Sequence, residues 1–592
     1  MSVLTDNAVR VLQARYLQRD ESGKIVETPD QLFERVAASI ARGEEPYRGR
    51  SGVKEAATEF RTMLSELTFL PNSPTLMNAG TRLGQLSACF VLPVHDSMAD
   101  IFDSLKLAAL IQQSGGGVGF SFSELRPAGD RVASTGGTAA GPVSFMKVFD
   151  AATENIRQGG KRRGANMGVL RVDHPDIERF IDVKRDGTSL RNFNLSVGAT
   201  DTFLQAVQQQ APFPLVHPST GKQVSVRSAS QLFSRIAHAA WETGDPGMLF
   251  LDTINAANPT PDLGSIEATN PCGEVPLLPY EACNLGSIHL GRMIRQTSPD
   301  EPAELDWERL ARVTRWAIRF LDDVIEVSRF PDPRIEQMVR GNRKLGLGVM
   351  GLAELLIRLE IPYQSDEAVT LSERLMQFIA QHADQASREL ADERGVFPNW
   401  PHSRLAAEGN RRRNATCTSI APTGTIGIIA GTSPSIEPLF ALAYRRHALQ
   451  GETLVELNPL LAGVARQRRL PVDRILEHVR QHGSLEDCPV VDDRFRNLFR
   501  TALEIDPHHH LRIQAAFQRH VDNAVSKTIN LPHDTSAETI AEIYLQAWKL
   551  GLKGVTVYRY GSREDQVLEL GVGETAVEHE HLAHCDPHAC KL

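Results

Sequence analysis

The stretch from Asn270 to Ser287 constrains the fold of this chain more than any other. It contains Pro271, Pro276 and Pro279, and each of these removes a backbone donor and fixes φ. The residue before a proline is also disfavoured in the helical region, so a helix across this stretch is disfavoured. The sequence therefore predicts a rigid loop here, and this loop carries two of the seven cysteines of the chain.

Cys272 lies close in sequence to Asn270 and Glu274 within this loop. A thiol, a carboxylate that can act as a general base and a hydrogen-bonding amide are a useful set for chemistry at one carbon centre. The residues alone leave a second interpretation open, in which a surface loop carries two buried cysteines, because free cysteines are usually buried.

The length and the charge of the chain limit its class. A chain of 592 residues has room for several domains, although one large α/β barrel can absorb much of that length. Charged residues make up 23% and hydrophobic residues 41%, as in ordinary soluble globular proteins. The net charge of −9 gives no global attraction to nucleic acids or membranes, so we predict no direct nucleic-acid binding and no membrane association.

Cysteine usage and the N-terminal sequence indicate the compartment. Residues 1–19 contain Asp6, Arg10 and Arg15 and lack the apolar region of a signal peptide. No run approaches the roughly 18 apolar residues of a membrane span. Seven cysteines are too few for a disulfide scaffold in a chain of this length. We therefore predict a cytoplasmic protein, in which cysteines are more often catalytic or metal-binding than structural.

Helices and strands are predicted to alternate after a helical beginning. Apolar spacings of three and four between Pro29 and Ile40 favour helices in residues 1–70. Short β-rich runs alternate with helical runs over residues 168–260, which is typical of an α/β fold. Further helices are predicted over residues 96–113, 143–157 and 305–327.

Two loops have the composition of phosphate-binding sites. Residues 159–167 place three adjacent cations between glycines, which suits an anion, although a solvated basic turn explains the residues equally well. The turn Pro422-Thr423-Gly424-Thr425 follows a β-branched segment, so its N–H groups and hydroxyls can converge on an anion. Ser73 and Thr75 offer hydroxyls beside prolines, for which turn capping is the favoured interpretation.

Three other features favour structural explanations. The Ser87–Val91 segment is predicted to be a buried strand, where Cys89 would ordinarily be an inert core residue, and Cys417 is predicted to be core as well. The glycines between Gly346 and Gly351 match a dinucleotide-binding pattern, but no strand precedes them, so close helix packing is the better explanation. The run His508–His510 is predicted to be a solvated surface run.

The motifs around Cys272 resemble the active-site finger loop of ribonucleotide reductases. The resemblance rests on Asn270-Pro-Cys-Gly-Glu274 and on Tyr280-Glu-Ala-Cys-Asn-Leu-Gly-Ser287, and further matches extend from Pro71 to Arg563. It implies a ten-stranded α/β barrel with a central finger loop. The implied domains are an N-terminal helical segment (1–70), the barrel (71–565, with the effector site and dimer helices at about 96–167 and the finger loop at 270–287) and a flexible C-terminal tail (566–592).

The resemblance also implies catalytic roles. Cys272 would carry a thiyl radical that takes the 3′ hydrogen of the ribose, while Glu274 removes the 3′-hydroxyl proton and Asn270 orients the sugar. The 2′-hydroxyl would leave as water, and Cys89 and Cys283 would end as a disulfide.

The C-terminal cysteines Cys585 and Cys590 would then regenerate this pair. A terminal cysteine pair is what the family uses as a thiol shuttle, itself reduced by a thioredoxin-like partner. Four nearby histidines keep a zinc site open as an alternative, and they could instead lower the thiol pKa values when protonated. No other residues are assigned to a metal.

Binding residues follow from the same resemblance. The substrate is expected to be a ribonucleoside diphosphate, and a dNTP or ATP effector is expected at the interface of a homodimer. There is no room for an additional N-terminal ATP-sensing domain. Substrate-binding residues are Ser73, Thr75, Ser87, Ala88, Pro422, Thr423, Gly424 and Thr425, and effector-binding residues are Asp96, Arg126, Lys161 and Arg162.

The class of reductase follows from the radical source. Relatives that receive the radical from a metal-bearing subunit use two adjacent tyrosines, whereas this chain has Tyr558 and Tyr560 separated by Arg559. A glycyl-radical segment, which a third class of relatives needs, is absent from the sequence. The Asp-x-His-x-x-Gly signature of base-off cobalamin proteins is absent too, which fits a reductase because reductases bind cobalamin without a histidine ligand. The resemblance therefore implies a class II enzyme that uses adenosylcobalamin. Two alternatives remain: a class I large subunit that needs a metal-bearing partner, and a non-catalytic nucleotide-binding relative.

Overall fold

The computed structural model describes residues 4–132, 136–158, 162–295, 303–448, 452–562 and 568–572. The N-terminal part is helical, as predicted, with helices Asp6–Arg15, Pro29–Ala41 and Glu45–Ser65. The second of these begins with a capping box, because the hydroxyl of Thr28 and the side chain of Gln31 each bond the other's backbone N–H.

A ten-stranded sheet forms the centre of the molecule. Its short strand Phe69–Pro71 pairs antiparallel with strand Ala282–His289. The other nine strands, in chain order, are β1 (Cys89–Pro93), β2 (Gly117–Ser121), β3 (Asn166–Arg171), β4 (Phe193–Ala199), β5 (Gly247–Phe250), β6 (Ala282–His289), β7 (Leu345–Met350), β8 (Thr528–Leu531) and β9 (Gly554–Arg559). Every residue of β1, β5, β6 and β7 is buried, as expected for strands that are covered on both faces.

The sheet closes into a barrel of two parallel halves. Strands β1 to β5 pair in order and in parallel, and β6 pairs in parallel with β7, as β8 does with β9. The extended segment 416–420 completes the second half, because Thr418 bridges to β7 and Ile420 bridges to Val525 just before β8. The halves meet antiparallel where β6 pairs with β1 and β5 pairs with β9. The predicted ten-stranded α/β barrel is confirmed.

A β-hairpin lies inside this barrel. Its arms are Ala268–Thr269 and Pro276–Leu277, which pair antiparallel, and its tip is residues 270–275. The tip contacts the second half of the barrel, since the carbonyl of Glu274 accepts hydrogen bonds from the N–H of Ala524 (2.9 Å) and the hydroxyl of Ser419 (2.8 Å). The predicted loop over 270–287 is therefore half right: its second part is barrel strand β6 rather than loop.

Glycines in β2 let the hairpin approach the barrel wall. A Cβ atom at Gly119 would overlap the carbonyl oxygen of Thr269, and one at Gly117 would lie 2.9 Å from Cγ of Pro271. Real Cβ atoms do not approach other atoms so closely. The two glycines of β2 are therefore required by the close packing of the hairpin against the wall.

Helices surround the barrel. None of the described helices combines the length and the apolar run that a bilayer crossing requires. The predicted helices at 96–113, 143–157 and 305–327 are observed, with ends shifted by up to two residues. The helices that surround the barrel are Ser73–Asn78, Met98–Gln113, Pro142–Asn155, Ile177–Asp182, Asp201–Gln208, Ala229–Thr243, Leu251–Ala256, Trp307–Val327, Pro333–Asn342, Leu352–Arg358, Asp366–Arg394, Arg404–Ala407, Gly424–Ala430, Pro507–Gln518 and Ala537–Lys549.

A small subdomain with its own apolar core follows residue 440. Its three-stranded sheet consists of Ala443–Ala448, Glu452–Leu457 and Leu568–Leu570. Helices Leu461–Gln467, Val472–His482 and Asp493–Leu498 complete it. Leu442, Ile475 and Phe495 belong to its core cluster, which is separate from the main core of the molecule.

A buried ionic cluster joins the N-terminal helices to the barrel. Arg394 is fully buried and contacts Glu44 (2.6 Å), Asp322 (3.0 Å) and Asp323 (2.7 Å). Arg343 pairs with the same Asp322 at 2.8 Å. Because Glu44 precedes the third N-terminal helix and the two aspartates lie on helix Trp307–Val327, the cluster fixes the N-terminal helices against a barrel helix.

Two predictions are wrong. The run His508–His510 is not a solvated surface run: it lies in helix Pro507–Gln518, where His509 and His510 are buried. Their Nε2 atoms bond the backbone carbonyls of Tyr363 (2.7 Å) and Ala502 (3.1 Å), and these bonds satisfy one ring nitrogen of each buried histidine.

The sequence predicts close helix packing for the glycines from Gly346 to Gly351, but Gly346 and Gly348 lie within strand β7. A Cβ at Gly348 would overlap the carbonyl of Ser419 in the neighbouring segment, and one at Gly346 would lie 3.6 Å from the Cys283 sulfur. These glycines serve close strand packing inside the barrel.

The ionic cluster predicts an asymmetric response to mutation. Arg394→Met leaves buried carboxylates without their cation, so we expect the free energy of unfolding to fall by about 3–5 kcal/mol. Arg388→Met removes an exposed ion pair with Asp384 on the same helix, so we expect a loss of less than about 1 kcal/mol. Urea denaturation followed by circular dichroism measures both variants. Equal midpoints for the two variants would contradict the structural role given to the cluster.

Candidate active site

The structure brings together all five residues predicted to be catalytic. Cys272 lies at the tip of the hairpin, with Asn270 and Glu274 on either side of it. Cys89 on β1 and Cys283 on β6 lie on the wall beside the tip. Cys89 interacts electrostatically with Glu274, Cys283 and Cys272, and it forms a side-chain hydrogen bond with Asn270.

Cys89 and Cys283 are direct cross-strand partners in the antiparallel pair of β1 and β6. Such partners have Cα atoms about 4.5–5.5 Å apart. A disulfide requires a Cα separation of roughly 4.4–6.8 Å, so the two cysteines can be bridged without rearrangement of the barrel. Both are free thiols here, and both are buried. Burial raises the pKa of each thiol well above its ordinary value, so both sulfurs retain their protons at neutral pH.

Asn270 makes the hairpin tip rigid. Its Oδ1 accepts a hydrogen bond from the N–H of Val275 at 3.0 Å, and its own N–H donates to the carbonyl of Val275 at 3.3 Å. Gly273 turns the chain with φ of +83°, a conformation that glycine adopts without strain, and its N–H donates to the carbonyl of Asn270. The tip therefore holds Cys272 in one place.

Glu274 is a buried carboxyl group with a displaced pKa. Its side chain is hydrogen-bonded to Asn270, while its Oε2 has no hydrogen-bond partner within the described ranges. Burial raises the pKa of Glu274 to about 7, and the bond from Asn270 opposes this rise in part. Glu274 can therefore accept or release a proton near neutral pH.

A cavity of about 440 Å³ opens beside Cys272. Of the five cysteines that the structure describes, Cys272 alone is exposed. The volume lies in the range of roughly 300–1,000 Å³ that is typical of small-molecule sites. Its lining is rich in small and polar residues and includes Asn194, Ser196, Gly244, Asp245, Gly247, Pro422, Phe440, Ser526, Lys527, Asn530, Gly554, Thr556 and Tyr558.

The predicted substrate residues before β1 differ in their availability. Ser87 is buried, and its hydroxyl has no partner within the described part of the chain, so it can receive a ligand group. The hydroxyl of Ser73 is bonded to that of Tyr16 at 2.7 Å. Thr75 is fully buried and donates to the carbonyl of Leu86 at 3.0 Å. The turn capping that the residues alone favoured is not observed, because helix Ser73–Asn78 has no side-chain cap bond at its start and Thr75 lies inside it.

Ala88 is half-buried and positions the thiol strands. Its N–H donates to the carbonyl of Cys283, and its carbonyl accepts the N–H of Gly117. Its backbone therefore links β6 to β2 beside Cys89. It supplies no polar side chain to a ligand.

The turn Pro422–Thr425 begins helix Gly424–Ala430. Thr423 has φ of +49°, and its hydroxyl accepts a hydrogen bond from the N–H of Ser435 at 2.6 Å, which holds this conformation. Pro422 lines the cavity, and a Cβ at Gly424 would meet no other atom. Because the first N–H groups of a helix have no partner within it, the turn presents donors beside open space.

Two predicted effector residues, Asp96 and Arg126, are not among the residues that line this cavity. Arg126 and Asp96 form an ion pair at 2.7 Å near the start of helix Met98–Gln113. Lys161 lies outside the described residues. Arg162 belongs to a two-residue strand, Arg162–Arg163, that pairs with Arg157–Gln158. The tail cysteines Cys585 and Cys590 also lie outside the described residues.

Two buried lysines of the site were not predicted. Lys527 lines the cavity and pairs with Glu437 at 2.5 Å. Lys344 pairs with Glu281 at 2.6 Å next to Cys283. The position of Glu281 two residues before Cys283 was a usable signal, since alternate residues of a strand share a face. The lysine partners are distant in sequence and gave no signal.

The burial of the thiols predicts selective chemistry. Because Cys272 is exposed and the other four described cysteines are buried, we expect brief treatment with iodoacetamide to alkylate Cys272 at least about tenfold faster than Cys89, Cys283, Cys417 or Cys488. Peptide mass spectrometry measures each site, and the Cys272→Ser variant is the control. Equal labelling of Cys89 and Cys272 in the folded protein would contradict the arrangement of the hairpin tip.

Comparisons with known proteins agree with this geometry. The family model described as "Ribonucleotide reductase, barrel domain" matches residues 87–558, and the model described as "Ribonucleotide reductase, all-alpha domain" matches residues 2–84. A protein of Mycobacterium tuberculosis named vitamin B12-dependent ribonucleoside-diphosphate reductase is 54% identical over 562 residues, which cover 95% of this chain and 78% of that protein. A Thermoplasma acidophilum protein of the same name is 48% identical over 97% of this chain and 81% of its own length.

A solved structure shows the same fold. The class Id ribonucleotide reductase alpha subunit of Actinobacillus ureae superposes with a TM-score of 0.76 at 24% identity, and the match covers 94% of this chain and 97% of that one. The barrel model alone covers most of the sequence, and it contains the hairpin and both thiol strands. This chain belongs to the ribonucleotide reductase family.

Proposed function

We propose that this protein reduces ribonucleoside diphosphates to 2′-deoxyribonucleoside diphosphates with adenosylcobalamin as its cofactor, and so provides precursors for DNA synthesis. One observation carries the proposal: Cys272, the exposed one among the five cysteines that the structure describes, lines a cavity, while a buried thiol pair, Cys89 and Cys283, lies beside it. The names of the relatives from Mycobacterium tuberculosis and Thermoplasma acidophilum support the choice of cofactor and of diphosphates.

The cavity gives a bound group direct access to the thiol of Cys272, because Cys272 is one of its lining residues. Tyr558 also lines it, but the neighbours of Tyr558 are Val557 and Arg559, so the adjacent tyrosine pair of a radical relay is absent from this strand. When bound, adenosylcobalamin supplies homolytic cleavage of its cobalt–carbon bond as the source of the radical.

The residues of the site then divide the reaction among them. As a thiyl radical, Cys272 takes the 3′ hydrogen of the ribose, and Glu274 takes the proton of the 3′-hydroxyl. Asn270, fixed by its bonds to Val275, orients the sugar. The 2′-hydroxyl leaves as water, and Cys89 and Cys283 supply the two electrons and become a disulfide.

Burial suits the thiol pair for this role. The raised pKa values of Cys89 and Cys283 keep hydrogen on both sulfurs, and hydrogen is what the pair must donate. The raised pKa of Glu274, about 7, makes its carboxylate a stronger base than an ordinary glutamate, and part of the group remains ionised at neutral pH. Because these groups are enclosed by the barrel, water and stray reductants are excluded from the radical.

The substrate is held at both ends of the site in this proposal. Its phosphates bind at the turn Pro422–Thr425, whose helix-starting N–H groups face open space beside the cavity. Ser87 contributes its unpaired buried hydroxyl. Ala88, Ser73 and Thr75 act through the backbone and hydrogen bonds that position this edge.

The C-terminal cysteines Cys585 and Cys590 regenerate the site in this proposal, with a thioredoxin-like protein as the reductant. The described chain before them supports this. Strand Leu568–Leu570 runs antiparallel to Ala443–Ala448, and the N–H of Gly571 donates to the carbonyl of Ala443 at 3.0 Å. Gly571 is therefore held at Ala443, and Ala443 is three residues after Phe440, which lines the cavity.

A dNTP or ATP effector and a second copy of the chain complete the proposal. Asp96 and Arg126 would hold the effector together with Lys161 and Arg162. The nearby helices Met98–Gln113 and Pro142–Asn155 expose apolar side chains that a homodimer would cover, namely Met98, Phe102, Leu110 and Val148. The free thiols suit a reducing compartment, so we place the protein in the cytoplasm.

Turnover of the purified chain tests the function. With CDP or ADP, dithiothreitol and an effector, we expect deoxynucleoside diphosphate only when adenosylcobalamin is added, because the chain lacks the tyrosine pair of a relay. Cys272→Ser abolishes turnover, whereas Cys488→Ala, in the separate subdomain core, retains it. Turnover that instead requires a di-metal protein would identify a class I large subunit, and no turnover under either condition would reject a catalytic role.

The pKa of Glu274 predicts the pH dependence. Since the ionised carboxylate acts as the base and the pKa is raised to about 7, kcat should rise with pH through an inflection near pH 7. Glu274→Gln should lower kcat by about 10²–10⁴-fold and remove this inflection. Glu336→Gln, which changes an exposed carboxylate paired with Arg340, should keep both. An inflection that survives in Glu274→Gln would assign it to another group.

A further inference from the structure

Three side chains form a row across adjacent strands of the barrel. Cys89 on β1 and Cys283 on β6 are paired residues, and Asn284 pairs with Leu345 on β7. The same parallel register places the residues that precede these two, Cys283 and Lys344, side by side. Paired residues project from the same face of a sheet, so the lysine flanks the thiol pair on the side opposite Cys89. A Cβ at Gly346, two residues after Lys344, would lie 3.6 Å from the Cys283 sulfur, which agrees with this placement.

The side chain of Lys344 is held in place beside the thiol pair. The side chain is 2% exposed, and its Nζ lies 2.6 Å from Oε2 of Glu281. Glu281 is itself held, because it accepts hydrogen bonds from the N–H of Leu278 (2.7 Å) and from Nδ2 of Asn342 (2.5 Å). Lys344 therefore cannot swing away from the thiol pair into solvent.

The charged groups around Cys283 act in opposite directions. Burial raises the pKa of the Cys283 thiol most strongly; Lys344 lowers it, and the carboxylates of Glu281 and Glu274 raise it by smaller amounts. Cys89, the partner thiol, faces it from β1. A second buried cation, Lys553, lies beyond Lys344, and its Nζ donates to the carbonyl of Asp522. Lys344 is thus the principal group that favours negative charge on this sulfur.

We propose that Lys344 is a positioning residue for regeneration of the enzyme: it stabilises the Cys283 sulfur as a thiolate when that sulfur leaves the Cys89–Cys283 disulfide. The inference rests on the proposed function, in which this disulfide forms in every turnover. It assigns the buried ion pair a role in the reductive half of the cycle.

The exchange reaction shows where the charge develops. A thiolate of an incoming dithiol attacks the sulfur of Cys89, because the residue Cys89 is 3% exposed whereas the residue Cys283 is 0% exposed. A sulfur–sulfur bond forms between the incoming thiol and Cys89 while the Cys89–Cys283 bond breaks. The electron pair of the broken bond leaves on Cys283, which becomes a thiolate. The second thiol of the dithiol, after losing its proton, attacks the mixed disulfide, which releases Cys89 and oxidises the dithiol to a disulfide. Two protons return to Cys89 and Cys283.

A leaving thiolate inside the barrel needs a counter-charge. An isolated anion is strongly disfavoured in an apolar interior, and a disulfide exchanges faster when the leaving thiol has a lower pKa. Glu281 and Glu274 both oppose the anion, whereas Lys344 favours it. A purely structural ion pair would hold Leu278 and Asn342 through Glu281 but would not change the rate of disulfide reduction.

Reduction of the preformed disulfide tests the inference without cofactor or substrate. The full chain is oxidised with diamide, unreacted thiols are blocked, and reduction by dithiothreitol is followed by alkylation and mass spectrometry of the Cys89 and Cys283 peptides between pH 6.5 and 8.5. The double variant Lys344→Met/Glu281→Gln keeps the pair neutral and retains an acceptor for Leu278. We expect its reduction to be about tenfold slower, because the leaving thiol becomes less acidic.

Two further variants separate charge from packing. Lys344→Arg retains the cation, so we expect reduction within about twofold of the wild-type rate. Glu281→Gln removes the opposing carboxylate and retains the lysine, so we expect faster reduction, by about threefold. Glu281→Gln is expected to speed reduction whereas the double variant slows it, so Glu281→Gln alone tests the inference if the double variant does not fold. A wild-type rate in the folded double variant, or slower reduction in Glu281→Gln, would overturn it.

Turnover separates this inference from the proposed function. If the function is correct, prereduced enzyme with adenosylcobalamin forms its first deoxynucleotide in the wild type, and the double variant then shows slow later turnovers. If the function is wrong, no first turnover occurs in any variant, while the reduction rates in the absence of cofactor still report on Lys344. Normal later turnovers in the double variant would count against the inference alone.

Discussion

The enclosure of a polar hairpin tip within a closed barrel is the constraint on which the rest of the structure depends. Buried backbone groups must be hydrogen-bonded, and the tip meets this demand in two ways. Asn270 bonds to Val275 within the tip, and the carbonyl of Glu274 is bonded by Ala524 and Ser419 from the barrel wall. Closure of the sheet through residues 416–420 therefore also fixes the hairpin, and the glycines of β2 are the condition for this fit.

This enclosure distinguishes the thiols by their surroundings. Cys272 reaches the cavity, whereas Cys89 and Cys283 lie behind it, where burial holds their protons in place. Hydrogen donation benefits from that environment, because the sulfur must carry hydrogen. Regeneration by disulfide exchange has the opposite requirement, because a thiolate must leave. In our proposal, the buried cation next to Cys283 lets one enclosed site serve both half-reactions, because it stabilises the anionic form of this sulfur.

Sequence reasoning worked where a single segment contained its own constraints. The prolines and the Asn-x-Cys-x-Glu spacing predicted a rigid tip, and the apolar run at Cys89 predicted a buried strand. It did not work where burial depends on distant partners. The polar run at His508–His510 is buried because carbonyls far along the chain or across a turn accept its ring bonds. The pair of Lys344 and Glu281 joins residues 63 positions apart. The barrel and the thiol pairing came from the resemblance, since no local pattern specifies which strands become neighbours.

Hydrogen bonds and ion pairs connect the ionic cluster to β6, the strand that carries Cys283. Asn284, next to Cys283 on β6, donates from Nδ2 to the carbonyl of Leu321 at 2.7 Å. The following residue, Asp322, is held by Arg394 and Arg343 in the cluster that also binds Glu44. A shift of the N-terminal helices would therefore move helix Trp307–Val327 and, through Asn284, the strand that carries Cys283. Disulfide formation tolerates only a narrow range of Cα separations, so these contacts from outside the barrel bear on the strand whose position the thiol pair requires.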